Sequence, residues 1–229
     1  MILEFFPESS RSADTRRRLA EVVQGGDVSS SYLEFGYDYF DNPEHVIGYG
    51  GYGYDGRYAD AAKKMVEHYG LKPGDHVLEI GCAKGTLLVE FKKLGMEVAG
   101  VDVSSYALEN AVPEVKPYLG CSDATTLPFP DGHFALVIGK EVLPHVPHDD
   151  IEATLIECMR VSRGKLFFEI QCGRTAVELE YMRKWDATHK IVETPIWWEA
   201  FLERIGFPGD VHYKVLISEA EMETSVHGL

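Results

Sequence analysis

The chain has 229 residues, 45% of them hydrophobic and 26% charged, enough for one domain that closes its own core without disulfides or metal. Its 37 acidic residues against 22 basic ones leave a formal net charge of -15, a surface that repels phosphate backbones and anionic lipids, so neither nucleic acid nor a membrane is an expected partner. No apolar run approaches the roughly 20 residues that span a bilayer, Met1 to Pro7 is too short and acidic for a signal peptide, and Cys82, Cys121, Cys158 and Cys172 fit no metal-ligand spacing, so they read as reduced, mostly buried thiols of a cytoplasmic protein.

Residues 1–57 form an N-terminal segment of weak periodicity. Leu19, Val22 and Val23 suggest a short helix ended by Gly25 and Gly26, and Arg16 to Arg18 a solvated helix face. Tyr32 to Tyr58 is too aromatic for a linker and too glycine-rich for a regular element. Two readings stand side by side: a loop packed on the core by its tyrosines, or a lid over a ligand.

From residue 58 the pattern becomes regular. Ala61, Ala62, Met65, Val66 and Tyr69 recur at helical spacing, stopped by Gly70 and Pro73. Strands are expected at His76 to Ile80, Glu97 to Val101, Val115 to Leu119, Phe134 to Ile138, Lys165 to Ile170 and Val211 to Ile217. Helices are expected at Thr86 to Leu94, Ser105 to Ala111, Ile151 to Val161 and, opened by proline, Pro195 to Ile205. Such alternation implies an α/β domain over 58–229, a Rossmann-like, doubly wound and mostly parallel sheet, interrupted by a polar insertion at 171–194.

The most informative stretch is Val77-Leu-Glu-Ile-Gly81-Cys-Ala-Lys-Gly85-Thr, a buried strand running through a glycine turn into a helix. Asp102 and Val103 close the second strand about 20 residues after Gly81, the distance at which a carboxylate meets a ribose hydroxyl pair. Asp123 and Ala124 follow the third strand, ahead of Leu127-Pro-Phe-Pro-Asp131. Alone, either aspartate is a cap or a turn residue. Together, at strand ends on one edge, they suggest a ligand site. A dinucleotide fingerprint G-x-G-x-x-G is not matched, since Gly81, Ala83 and Thr86 occupy its positions.

These residues resemble class I S-adenosylmethionine-dependent methyltransferases, within the broad group acting on small molecules and polysaccharide sugars. The resemblance covers Tyr58 to Ile217 and implies S-adenosylmethionine as cofactor. By that resemblance Glu79, Gly81, Ala83 and Gly85 hold the methionine part, Asp102 the ribose, and Asp123 with the Ala124 amide the adenine. Ala83 stands where the family usually has glycine, which alanine tolerates only at negative φ. Arg57 sits where relatives face the cofactor carboxylate, and a surface ion pair is its equally weighted alternative.

Moving a methyl group to a hydroxyl requires alignment and a base. His145, in Glu141-Val-Leu-Pro-His-Val146, and His189, in Trp185-Asp-Ala-Thr-His189, match histidines of the family, with a structural hydrogen-bonding role as the bland reading of each. Glu141 follows a strand end on the active edge and is a candidate substrate contact, while Asp149 or Asp150 caps the next helix more readily than His148-Asp149-Asp150 holds an ion. Arg174, Arg183, Lys184 and Lys190 either pair with Glu178 and Glu180 or read an anionic substrate, and Trp185, Trp197 and Trp198 stack on a ring or anchor the core. The expected activity is O-methylation of a small-molecule hydroxyl, a sugar that is bare, phosphorylated or nucleotide-linked in surface polysaccharide biosynthesis. N-methylation of a small amine and a non-catalytic cofactor-binding subunit are the rivals. No metal is expected, and a homodimer is left open.

Overall fold

The protein is described here by a computed structural model over residues 4–7, 28–45, 47–216 and 218–219. The helix and basic run expected between residues 11 and 26, and most of the tail after Ser218, lie outside the described residues.

Six parallel strands form one sheet in the order β3-β2-β1-β4-β5-β6. They are β1 (His76–Ile80), β2 (Glu97–Asp102), β3 (Leu119–Cys121), β4 (Leu136–Lys140), β5 (Leu166–Gln171) and β6 (Asp210–Lys214). The order reverses between β1 and β4, and an open α/β sheet takes its ligand at the carboxyl ends beside such a reversal. The sheet alternates as a parallel sheet covered on both faces must. Val77 and Phe167 enter one apolar layer with helices α3 (Ala59–Tyr69) and α4 (Thr86–Lys93), through Ala61, Met65, Leu88 and Phe91. Leu78, Ile80 and Phe168 enter the other with α6 (Ile151–Val161) and α8 (Pro195–Arg204), through Ile151, Leu155, Trp198 and Leu202. The five-residue α5 (Ser105–Glu109) leads from β2 toward β3, N-capped by Ser104.

The elements expected from residue 58 onward are present among the described residues, with shifts that have physical reasons. The third strand begins at Leu119 rather than Val115. Residues 116–118 make a 3-10 turn, because Pro117 has no N–H for a ladder and Val115 is buried against the helix layer. The fourth strand runs to Lys140, and Phe134 keeps only an isolated bridge to Ser162. The insertion carries a helix, α7 (Ala176–Trp185), started by Thr175, whose side chain accepts the Glu178 N–H at 3.2 Å. Asp150 precedes α6 without a side-chain capping bond, since its own backbone is already helical after a 3-10 turn. The tyrosine- and glycine-rich stretch is less irregular than expected: α1 (Ser30–Leu33) and α2 (Tyr37–Phe40) are short helical turns. Among the described residues no helix is long and apolar enough to cross a membrane. All four cysteines are free, and Cys82, Cys158 and Cys172 are buried.

Candidate active site

A cavity of about 530 Å³ opens at the carboxyl edge of the sheet, a size suited to a small ligand. Its floor is the turn after β1. Gly81 and Gly85 have φ of 65° and 73°, and a Cβ on Gly81 would stand 2.5 Å from Val142 Cγ2. Ala83 also has positive φ, 48°, against the expectation that an alanine there keeps φ negative. The compensation is its N–H, which donates to Asp102 Oδ2 at 2.7 Å and fixes the turn to the end of β2.

Asp102 is buried and accepts at both oxygens, taking the Ser104 N–H on Oδ1 at 2.8 Å. Burial pushes its carboxyl upward, against the pull of those backbone donors. Val103 beside it is half exposed on the cavity wall. Asp123 and Ala124 reach the same wall. Asp123 Oδ1 accepts from Thr125 N and Oγ1 at 3.0 and 2.8 Å, and these donors hold it below the usual carboxylate range. The Ala124 N–H donates to Ser122 Oγ at 3.1 Å. Glu79 is buried, its Oε2 has no hydrogen-bond partner, and burial raises its carboxyl well above the ordinary range. Arg57 also lines the cavity, with Nε held by Asp55 at 2.8 and 2.9 Å in this structure.

The N-terminal segment lies across this edge. Tyr32, Tyr39 and Phe40 pack with Ala83 and Ala107, and Asp41 clamps the segment down by accepting from Lys84 Nζ at 2.6 Å and Tyr106 hydroxyl at 2.7 Å. Packed tyrosines and cavity wall are therefore the same residues, so the two readings of the stretch coincide in space.

His145 and His189, 44 positions apart in the chain, come together with ring centroids 5.0 Å apart. His189 Nδ1 lies 2.9 Å from the Met182 carbonyl, which can only accept, so Nδ1 carries the proton and Nε2 keeps a lone pair. His145 Nδ1 lies 2.8 Å from Thr188 Oγ1. That hydroxyl donates its one proton to Asp186 Oδ1 at 2.7 Å, so His145 is likewise the Nδ1–H tautomer. Asp186 was not singled out in the sequence, yet it joins the two halves of the site. It also accepts from Tyr32 hydroxyl at 3.0 Å, Tyr39 hydroxyl at 3.2 Å and Thr188 N–H at 2.9 Å. Burial pushes its carboxyl up, but the two imidazoles and the Thr188 donors outweigh that and keep it ionised. The signal was the run Asp186-Ala-Thr188-His189, which the sequence offered and which was read for its histidine alone.

Asp186 and the two imidazoles offer ligand atoms within 4.8 Å of one another. A carboxylate that already accepts four hydrogen bonds would have to exchange partners to take an ion, so Asp186, Thr188 and His145 stand as a hydrogen-bonded chain with the His189 ring beside it. His148 and Asp149 are exposed. Glu141 lines the cavity at a strained φ of 54°, each oxygen held by a lysine, Lys140 at 2.7 Å and Lys214 at 2.8 Å. Of the basic residues in the insertion, Lys184 pairs with Glu180 at 2.5 Å, Arg174 with Glu178 at 3.5 Å and Arg183 with Glu193 at 3.7 Å, so charge pairing rather than ligand contact describes these three. Trp198 is core, and Trp185 lines the cavity.

Residues 77–165 match a protein family described as a methyltransferase domain. Over these residues the chain is similar to class I S-adenosylmethionine-dependent methyltransferase domains. Its cofactor is S-adenosylmethionine. The methyltransferase domain is 34% identical over 96 residues to the 2-methyl-6-phytyl-1,4-hydroquinone methyltransferase of a Synechocystis species, covering 40% of this chain and 30% of that protein. It is 33% identical over 98 residues to the phosphoethanolamine N-methyltransferase 1 of Arabidopsis thaliana, covering 38% of this chain and 19% of that one. The chain thus spans under a third of these relatives' length. A crystal structure of a SAM-dependent methyltransferase from Archaeoglobus fulgidus shares the fold, with a TM-score of 0.53 at 24% identity over 65% of this chain and 68% of the other. The site fits the cofactor on its own geometry: the unpartnered, buried Glu79 oxygen suits an ammonium, and the turn at Gly81 leaves no room for a side chain.

Proposed function

We propose that the protein transfers a methyl group from S-adenosylmethionine to a hydroxyl of a small molecule. Two imidazoles in one cavity, each with Nδ1–H tied to an acceptor and Nε2 left bare, carry this reading. Glu79 and the turn of Gly81, Ala83 and Gly85 would hold the methionine part, with Arg57 exchanging Asp55 for the cofactor carboxylate. Asp102 would hold the ribose, Val103 would cover the purine, and Asp123 with Ala124 would bound its far edge. When bound, the cofactor supplies a methyl group already activated on a sulfonium sulfur. What remains for the chain is alignment and removal of the hydroxyl proton.

His189 Nε2 or His145 Nε2 takes that proton. In each the Nδ1–H is tied to an acceptor, which leaves Nε2 to take the proton, and Asp186 stabilises the imidazolium that forms. Glu141, engaged by two lysines, orients the acceptor rather than deprotonating it. The acceptor we propose is a sugar, bare, phosphorylated or nucleotide-linked, as used in surface polysaccharide biosynthesis. The support is the cavity's mixture of aromatic walls and charged hydrogen-bonding groups. A second reading, N-methylation of a small amine, draws on the Arabidopsis relative.

Incubation with S-adenosylmethionine and a panel of sugars, sugar phosphates, nucleotide sugars, phenols and amines, followed by mass spectrometry for an added methyl group, tests the proposal. His189→Ala should abolish the product while leaving cofactor binding intact. Unchanged turnover would remove His189 as the base, and a protein that binds the cofactor but methylates nothing would be a binding subunit.

A further inference from the structure

Beyond the imidazoles the cavity reaches a second polar group, of which the proposed transfer uses only Glu141. Lys140 and Glu141 stand at the end of β4, Gln171 at the end of β5 and Lys214 at the end of β6, and all four line the cavity. Gln171 and Lys214 are register partners, and neighbours in register on a parallel sheet point to the same face. Glu169, two residues before Gln171 and fully buried behind them, accepts from Lys214 at 3.2 Å and from His212 Nδ1 at 3.0 Å, and lies 3.8 Å from Lys140.

The cluster is balanced, two ammoniums against two carboxylates. Its hydrogen-bonding capacity is not. An ammonium has three N–H donors. Lys140 gives one to Glu141 and turns otherwise toward the rings of Phe6 and Tyr58, at 5.4 and 5.7 Å. Lys214 gives one to Glu141 and one to Glu169. On the acceptor side, Gln171 is 7% exposed and its Oε1 is buried without a partner. The subsite therefore offers spare donors and one spare acceptor, with no net charge.

That combination selects a ligand chemistry. A phosphate or carboxylate would satisfy the lysines, yet it would face Gln171 Oε1 with another acceptor and bring an uncompensated charge into a neutral cluster. A simple phenol has a single hydroxyl, already needed at the imidazoles. Neighbouring hydroxyls on a carbon ring each donate once and accept as well, which meets both demands.

We propose that Lys140, Gln171 and Lys214 form a subsite for the non-reacting vicinal hydroxyls of a neutral polyol acceptor. This rests on the reading of the cavity as a methyl-transfer site and adds the residues that would select the acceptor. Saturation-transfer NMR on the full chain loaded with S-adenosylhomocysteine tests it, using methyl pyranosides and inositol as polyol probes and phenol and inorganic phosphate as the contrast. Polyol signals should be present and should fall at least fivefold in Gln171→Leu and in the shortened Gln171→Asn, with S-adenosylhomocysteine affinity unchanged by calorimetry to show that the variants are folded. Lys214→Met should weaken the same signals. Absence of polyol signals, polyol signals indifferent to Gln171, or a phosphate or phenol signal that alone responds to these variants would overturn the assignment. A protein that does not bind S-adenosylhomocysteine at all would instead sink the methyl-transfer reading on which it rests.

Discussion

Thr188 and His145 are 43 positions apart, yet Thr188 Oγ1 stands 2.8 Å from His145 Nδ1 and passes its own proton to Asp186 at 2.7 Å. A neutral imidazole alone favours neither nitrogen strongly, so this hydroxyl decides which lone pair faces the cavity. Thr188→Val keeps the shape and removes the acceptor. His145 should then shift from the Nδ1–H toward the Nε2–H tautomer in long-range proton–nitrogen spectra. Turnover should fall roughly 10- to 100-fold, the range seen when an orienting partner of a functional histidine is lost, while cofactor affinity stays put. An unaltered tautomer in the variant would mean that Thr188 only packs.

The same environment sets a pH dependence. Burial pushes the His145 imidazole down to about 4, the Asp186 charge works the other way without reversing it, and His189 adds to the depression. Since the unfolded imidazole titrates near 6.5, the unfolded chain binds the extra proton between those values. The neutral ring's contribution to stability is therefore complete above about pH 6.5 and is lost as pH falls toward 4. The acid limb of turnover assigned to His145 should lie near pH 4. Asp186→Asn removes the anion that favours the imidazolium and should lower the midpoint further. An NMR titration that finds His145 near 6.5, or raised in Asp186→Asn, contradicts this.

The sheet and cradle were readable because they rest on short-range rules: apolar runs give strands, and the glycine turn with Asp102 at a fixed distance gives the ligand edge. Apart from the proline that cuts β3 short, what escaped was set by contacts far apart in sequence. Pro117 truncates β3 from inside an apolar run. Ala83 keeps its positive φ because a carboxylate nineteen residues away holds its N–H. Asp186 looked like part of a polar insertion until the fold set it between Tyr32, Tyr39 and His145. Glu141 was read as a strand-end candidate and it lines the cavity, but of the two lysines at its oxygens Lys140 is its chain neighbour and Lys214 arrives from β6.

Asp102 does structural and binding work with the same two oxygens, and a substitution should separate them. Asp102→Asn puts an amide N–H against either Ala83 N–H or Ser104 N–H, and leaving a buried donor unpaired costs about 1–3 kcal/mol. The melting temperature should drop. Calorimetry should show S-adenosylhomocysteine affinity reduced more than tenfold, since the turn loosens and the ribose loses an anionic acceptor. Wild-type affinity in a folded Asp102→Asn protein would displace Asp102 from the site.

Gly81 and Ala83 both occupy left-handed backbone but should answer substitution in opposite senses. In Gly81→Ala the new Cβ meets Val142 Cγ2 at 2.5 Å, and an L side chain there also carries the left-handed penalty, about 1–2 kcal/mol. The clash cannot be relieved without moving Val142, which itself lines the cavity. The expected result is a melting temperature several degrees lower and weak cofactor binding. In Ala83→Gly the left-handed penalty is lifted, while the unfolded chain gains freedom worth about 0.5–1 kcal/mol. The two nearly cancel, so stability should be unchanged or slightly higher, and affinity for S-adenosylhomocysteine preserved because the Asp102 bond needs only the backbone N–H. Thermal melts of both variants, with and without S-adenosylhomocysteine, check the pair. A destabilised Ala83→Gly would show that the alanine methyl makes a packing contact worth more than its strain.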